Sequence, residues 1–275
     1  TIFMSNTHGR RINNDILQRK GSGYIAVHSN DFMISNHPWY KGVTQIYGPD
    51  GGVFMSDWTD FGECHDNDGV HRTSGRIYKV VYGEVENPGA LNLAENSNLE
   101  LVAYQLKKND WYVRHSRRIL QERYVAGQDV KDARNELLRL LKVVGQPVDR
   151  QLRFIWALHS IGGVGEKRLA SLLDHENEHV RSWAVRLIGE GGEPIEEQFQ
   201  KIRALAKDGK SRLVRMYVAS TFPRFSESQQ WSLAKDLLLD FGYKEDQNLP
   251  NMIWYALRPL VLADPVKALS LLGNC

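Results

Sequence analysis

Six carboxylates and no lysine or arginine occupy residues 42 to 71: Asp50, Asp57, Asp60, Glu63, Asp66 and Asp68. Packed into one turn-rich stretch they repel each other unless a cation or nearby arginines sit among them. Asp66-Asn67-Asp68-Gly69 has the look of part of a calcium loop, because hard cations take several oxygen ligands and glycine makes the sharp turn. The remaining EF-hand spacing is lacking. One expectation is therefore calcium held by Asp57, Asp60, Glu63, Asp66 and Asp68. The other is a solvated acidic loop pinned by Arg10, Arg11, Arg72 and Arg76. Cys64-His65 with His71 offers softer ligands, but no fourth zinc ligand is visible, and Cys64 reads as a small buried side chain. His8-Gly9-Arg10-Arg11 follows a strand-like run, and a histidine beside two arginines suits a base next to an anionic cofactor. The plainer reading makes His8 a turn cap and Arg10 or Arg11 a partner of the acidic loop. Cast as a site, these residues divide by type. His8, Arg10 and His71 would handle protons and charge, and Arg11, Arg72 and Arg76 would hold an anionic cofactor.

The elements that must position them are two strand-like runs, 52–58 and 76–82, with the long connection 59–75 between them. A connection of that length in a compact domain is usually functional or disordered. Residues 1–83 read as β-rich, with further strands at Thr1 to Asn6 and Gly23 to His28 between Gly, Pro and Asn turn signals. Five or six strands in about eighty residues fit two propeller blades, each taking roughly 40–45 residues. Two blades alone leave exposed edges, which proteins avoid, so a partner or further blades are expected to cover them. Residues 84–96, with Pro88-Gly89, read as a linker.

From Ser97 the apolar period becomes helical and a register recurs: Val113-Arg114, Val180-Arg181 and Val214-Arg215, with weaker copies at Leu152-Arg153 and Ile253. The anchors are 39, 28, 34 and 39 residues apart. That is the length of a HEAT or armadillo-type helix pair. Second helices are expected near 110–125, 150–161, 178–189, 211–223 and 249–262, with first helices near 97–107, 130–144, 166–174, 195–208 and 228–241. The fold class is thus α+β and multidomain: a partial propeller-like antiparallel sheet (1–83), a linker (84–96) and an all-α HEAT-like solenoid of about five helix pairs (97–275). The arginine after each Val is expected to satisfy helix-end carbonyls. Trp111, Trp156, Trp183, Trp231 and Trp254 fall at core spacing.

Of 275 residues, 42% are hydrophobic and 25% charged, with a formal net charge of +2. This near-neutral balance gives no push toward nucleic acid; Arg114, Arg117, Arg118, Arg123, Arg181, Arg186, Arg212 and Arg215 are candidates for a basic face, but each repeat also carries acids. A nucleic-acid-binding HEAT protein is the remotest reading. No apolar run is long enough for a transmembrane helix. Two cysteines, Cys64 and Cys275, make no disulfide framework, and no Cys-x-x-Cys-His haem motif is present. The chain opens on Thr1 inside a strand-like run, which reads as a piece of a longer protein.

Several long motifs carry a family resemblance: HGRRINNDILQRKGSGYIAVHSNDF, HPWYKGV, YGPDGGVFMSDWTDFGECHDNDGVHRTSGRIYKVVYG, LVAYQLKKNDWYVRHSRRILQER, IWALHSIGG and HENEHVRSWAVRLIGE. Together they resemble the membrane-bound dehydrogenase family of Planctomycetes and related bacteria, over residues 1 to about 190. Its members combine a propeller similar to soluble sugar dehydrogenases, HEAT repeats and often a cytochrome c domain. The resemblance implies a propeller end followed by a HEAT rod in an exported, periplasmic or cell-envelope setting. It further implies an oxidoreductase using pyrroloquinoline quinone in the full-length parent, with a cytochrome as electron acceptor. Most of the propeller is missing from this chain, and most of a quinone pocket with it. The alternative is a non-enzymatic protein-protein interaction module, for which this piece taken alone is the better fit.

Overall fold

The computed structural model describes residues 1–59, 73–84, 87–239 and 242–272. Among them are two small antiparallel sheets and eleven α-helices, a mixed α+β architecture. The chain divides into two compact units, one comprising residues 1–18 and 25–119, the other residues 19–24 and 120–275. The segment 84–96 lies within the first unit, and the division runs between Ile119 and Leu120.

Most of β2 (Arg11–Lys20) lies in the first unit, and it is the central strand of one sheet. It carries β1 (Ile2–Asn6) on one edge, and β3 (Gly23–His28) followed by β4 (Met33–Ile34) on the other. The second sheet is β5 (Gly42–Tyr47), β6 (Val53–Asp57) and β7 (Arg76–Val80) in that order. Pairing sets which side chains share a face, because residues directly opposite each other point the same way. Gln45, Met55 and Tyr78 lie in one cross-strand row, and Met55 is buried. Ile46, Phe54 and Lys79 form the neighbouring row on the other face. There Ile46 is 62% exposed and Phe54 40%, and Ile77, one pair further along, is 77% exposed. Few strand residues reach a core: Ile12 and Met55 are the buried apolar ones.

A short helix α1 (Asn98–Ala103) and α2 (Asp110–Val125) follow. Ser97 and Glu100 form a reciprocal capping box at the start of α1, which satisfies two otherwise orphan backbone donors.

The second unit is built from pairs: α3 (Lys131–Leu141) with α4 (Val148–Ser160), α5 (Glu166–Leu172) with α6 (Glu178–Glu190), α7 (Glu196–Asp208) with α8 (Arg212–Thr221), and α9 (Glu227–Leu237) with α10 (Leu249–Ala263). A last helix, α11 (Pro265–Leu272), packs on α10. Second helices pack on second helices (α4 on α6, α6 on α8, α8 on α10), and first helices do likewise (α5 on α7, α7 on α9). One continuous apolar core runs from Leu152 to Leu271. Each helix offers a stripe that only its neighbours can cover. Gly189 permits the approach of α6 to α8, because a Cβ there would lie 1.8 Å from Thr221 Cγ2. Gly209 ends α7 in the left-handed conformation at φ 60°, where glycine carries no steric penalty.

The arginine of the Val-Arg register is a structural part in two copies. The Arg181 guanidinium donates to the His175 and Glu176 carbonyls at 2.6 and 2.7 Å. Arg215 is 1% exposed and donates to the carbonyls of Ala206, Leu237 and Leu239. Its fork satisfies carbonyls at the C-terminal ends of α7 and α9, and the Leu237 carbonyl also accepts the Tyr243 hydroxyl at 3.0 Å. Trp156 and Trp183 pack edge to face at 4.9 Å, whereas Trp254 is 53% exposed and Trp111 lies in the first unit.

Candidate functional site

The third copy of the register behaves differently. Arg114 sits in the first unit, is exposed, and points at a side chain of the second sheet. Its guanidinium donates to the Tyr47 hydroxyl at 3.2 Å, and that hydroxyl donates to Asp110 Oδ2 at 3.0 Å. The start of α2 is fixed by Asn109. Its Oδ1 accepts the Trp111 N–H at 3.0 Å, and its amide donates to the Gly48 and Pro49 carbonyls, both at 3.0 Å. An asparagine cap thus joins the helix start to the turn between β5 and β6.

This junction opens into a pocket of about 340 Å³ lined by Gln45, Ile46, Tyr47, Trp111, Arg114, His115 and Arg118. The spacing 111, 114, 115, 118 puts all four α2 side chains on one helix face. The Trp111 and His115 rings lie with centroids 4.2 Å apart, tilted by 37°. Burial, followed by the charges of Arg118 and Arg114, pushes the His115 pKa below its ordinary value. His115 is therefore neutral at neutral pH, and an anion entering beside it would favour its protonation. The pocket thus gathers two guanidiniums, a neutral imidazole and an indole, with Arg114 also held by the Tyr47 hydroxyl and 3.9 Å from Asp110; guanidiniums are the side chains that pair with carboxylate and phosphate groups. The arginines were visible in the sequence as candidates for a basic face. His115 and Trp111 were not singled out as ligand contacts, because both fall inside a register that reads as packing.

The sequence-derived site residues do not meet there. His8 and Arg10 are exposed at the turn before β2, where Arg10 has φ 52°. Arg11 donates to the Gly9 carbonyl at 3.2 Å and to Asp31 Oδ2 at 2.8 Å. Asp31 Oδ1 in turn faces His28 at 3.5 Å, and the other imidazole nitrogen lies 2.9 Å from Asp15. Arg11 thus belongs to a network tying β2 to the turn after β3. Asp57 is 3% exposed. Its Oδ1 accepts the Lys41 and Thr59 N–H groups at 2.8 and 2.9 Å, and its Oδ2 faces Arg76 at 3.3 Å. Arg76 also donates to Thr59 Oγ1 and approaches His37 Nδ1, at 3.2 and 3.3 Å. Asp50 pairs with Lys79, whose hydrogen bond holds the Asp50 carboxyl below the usual range.

So β7 supplies the cations for the two acids of the carboxylate-rich stretch that can be placed, as the pinned-loop reading expected of Arg76. Arg11 is committed elsewhere. Asp60, Glu63, Asp66, Asp68, His71 and Arg72, with Cys64 and His65, lie outside the described residues. Among the described residues no group of three or more His, Cys, Asp or Glu side chains is placed to hold a metal ion. Asp57, Arg11 and Arg76 are each engaged by protein groups. No helix among the described residues is long and apolar enough to cross a membrane. Compared with known proteins, the chain matches no family model and no curated protein.

Proposed function

We propose that this chain binds rather than catalyses. It is the scaffold portion of a larger oxidoreductase-type protein of the family it resembles, in an exported setting. The sheets are the end of a propeller completed by further β structure, and the helices form a HEAT-type rod that holds a partner. The observation that carries this reading is the apolar face left open on the second sheet by Ile46, Phe54 and Ile77. A small sheet with such a face is normally covered by another layer. The engagement of Arg11, Asp57 and Arg76 within the protein argues in the same direction. The pocket at Arg114, His115 and Arg118 gives the module a place to receive an anionic group.

Light scattering across a concentration series tests the proposal. The chain alone is expected to self-associate through the sheets, and Ile46→Lys/Ile77→Lys is expected to return it to a monomer. With pyrroloquinoline quinone, calcium, a dye acceptor and a sugar panel, the chain alone should reduce nothing. A strictly monomeric chain, or dye reduction by it, contradicts the reading.

A further inference from the structure

A second site lies in the helical unit, where α9, α10 and α11 meet. An apolar cavity of about 370 Å³ there is lined by Trp231, Trp254, Leu257, Leu260, Ala268 and neighbouring aliphatic residues. Among the described residues no charged side chain enters that lining. Trp231 and Leu271 are shared with an adjoining pocket of about 240 Å³, whose other walls are Arg203, Ser232, Lys235, Lys267 and Ser270. The Lys267 ammonium sits over the Trp231 ring, 4.3 Å from its centroid, at the junction of the two.

Among the described residues, the lining of that adjoining pocket holds three cations, Arg203, Lys235 and Lys267, and no acid. Arg203 is paired with Asp236 at 2.7 Å, which Lys207 shares at 3.5 Å. Glu227 accepts the Trp231 indole N–H at 3.2 Å. Asp264 caps α11 through the Lys267 N–H at 2.9 Å. Lys235 and Lys267 therefore add positive charge beside an apolar hole. The combined space falls within the roughly 300–1,000 Å³ of small-molecule sites, which pair apolar walls with a few placed polar groups.

We infer that this is a binding site for a single-chain anionic amphiphile. The alkyl chain would occupy the cavity between Trp231 and Trp254, and the carboxylate would lie against Lys267 and Lys235. Charge complementarity selects this occupant over a neutral or cationic one. A fatty acid and an anionic detergent share the chemistry, so the head group and the chain are tested separately.

The experiment is calorimetric titration of the intact chain with dodecanoate, dodecanol and dodecyltrimethylammonium, all below their micelle concentrations, with hexanoate as the short-chain arm. One dodecanoate per chain is expected, with hexanoate, dodecanol and the cation each at least roughly tenfold weaker. Lys235→Ala/Lys267→Ala, a surface change that leaves the core intact, should weaken dodecanoate about tenfold and leave dodecanol unchanged. Equal binding of all three head groups, or no loss in the double variant, overturns the proposal. So does dimerisation through this face that dodecanoate fails to reverse, since the cavity would then be covered by a second copy. None of these outcomes depends on the sheet unit, so this proposal can fail independently of the scaffold reading.

Discussion

The two units solve the burial problem in opposite ways. In the helical unit, Phe154, Ile202, Phe222 and Leu237 are fully buried in ranks of paired helices, and a charged group, Arg215, is buried with them as a carbonyl cap. In the sheet unit few strand side chains are buried, and order comes from polar fastenings such as Asp57 with Arg76 and His28 with Asp15 and Asp31. Helices satisfy their own backbones, so side-chain burial is their main remaining task. Short sheets must satisfy both edges and both faces. The difference teaches that the helical unit holds its order by a continuous apolar core, whereas the sheet unit relies on polar fastenings and leaves Ile46, Phe54 and Ile77 exposed.

The largest effect expected from breaking this contrast is at Arg215. Arg215→Ala removes the guanidinium bonds to the Ala206, Leu237 and Leu239 carbonyls, of which Leu237 keeps the Tyr243 hydroxyl, and leaves a cavity; it should cost about 3–5 kcal/mol by urea unfolding. A loss below about 1 kcal/mol would show that the arginine is no structural cap. Phe222→Ala should fall in the same range. Asp57→Ala, which frees Arg76 and two backbone N–H groups, should cost about 1–3 kcal/mol and should register in probes of the sheet unit alone.

Asp246 sharpens the helical side through pH. Burial raises its pKa, but hydrogen bonds from Ser22 and the Leu249 and Asn248 N–H groups outweigh this and hold it at about 2, against 3.8 unfolded. Because the folded pKa is the lower one, its stabilisation is present above pH 3.8 and is lost as pH falls toward 2. Asp246→Asn should flatten the acid limb of the stability curve over that window.

At the anion pocket, His115 is expected to take up a proton when sulfate binds, an anion whose own charge is constant across this range. Because burial and the flanking arginines lower the His115 pKa, affinity should rise several-fold only as pH falls below the ordinary imidazole range, and His115→Gln should abolish that rise without unfolding the chain. Smallest of all, Ile77→Ser on the open sheet face should change stability by no more than about 0.5 kcal/mol, while reducing self-association.

Much of the helical unit could be read from the chain. The Val-Arg register marks α2, α6 and α8 because a core contact recurs at the same point of each helix. Each of the ten helical intervals expected past residue 97 holds a helix. Helix α11 lay beyond the register, although Asp264-Pro265 is a cap and first-turn signal. Strand β2 was illegible because Asn13-Asn14 and Gln18 to Lys20 lack strand-type side chains, and its partners on both edges supply what its propensity does not. The candidate site was legible only in part. Its arginines stood out by type, but nothing in sequence tells that the same Val-Arg pair caps carbonyls at 181 and 215 and faces Tyr47 at 114. That depends on what packs beside each helix.

Hydrogen exchange on the intact chain tests the contrast most directly. Amides of α6, α8 and α10 should be protected at or near the global unfolding free energy, and those of β5, β6 and β7 should exchange far earlier through local opening. Uniform protection across both units would contradict the claim that the sheet face awaits a covering layer.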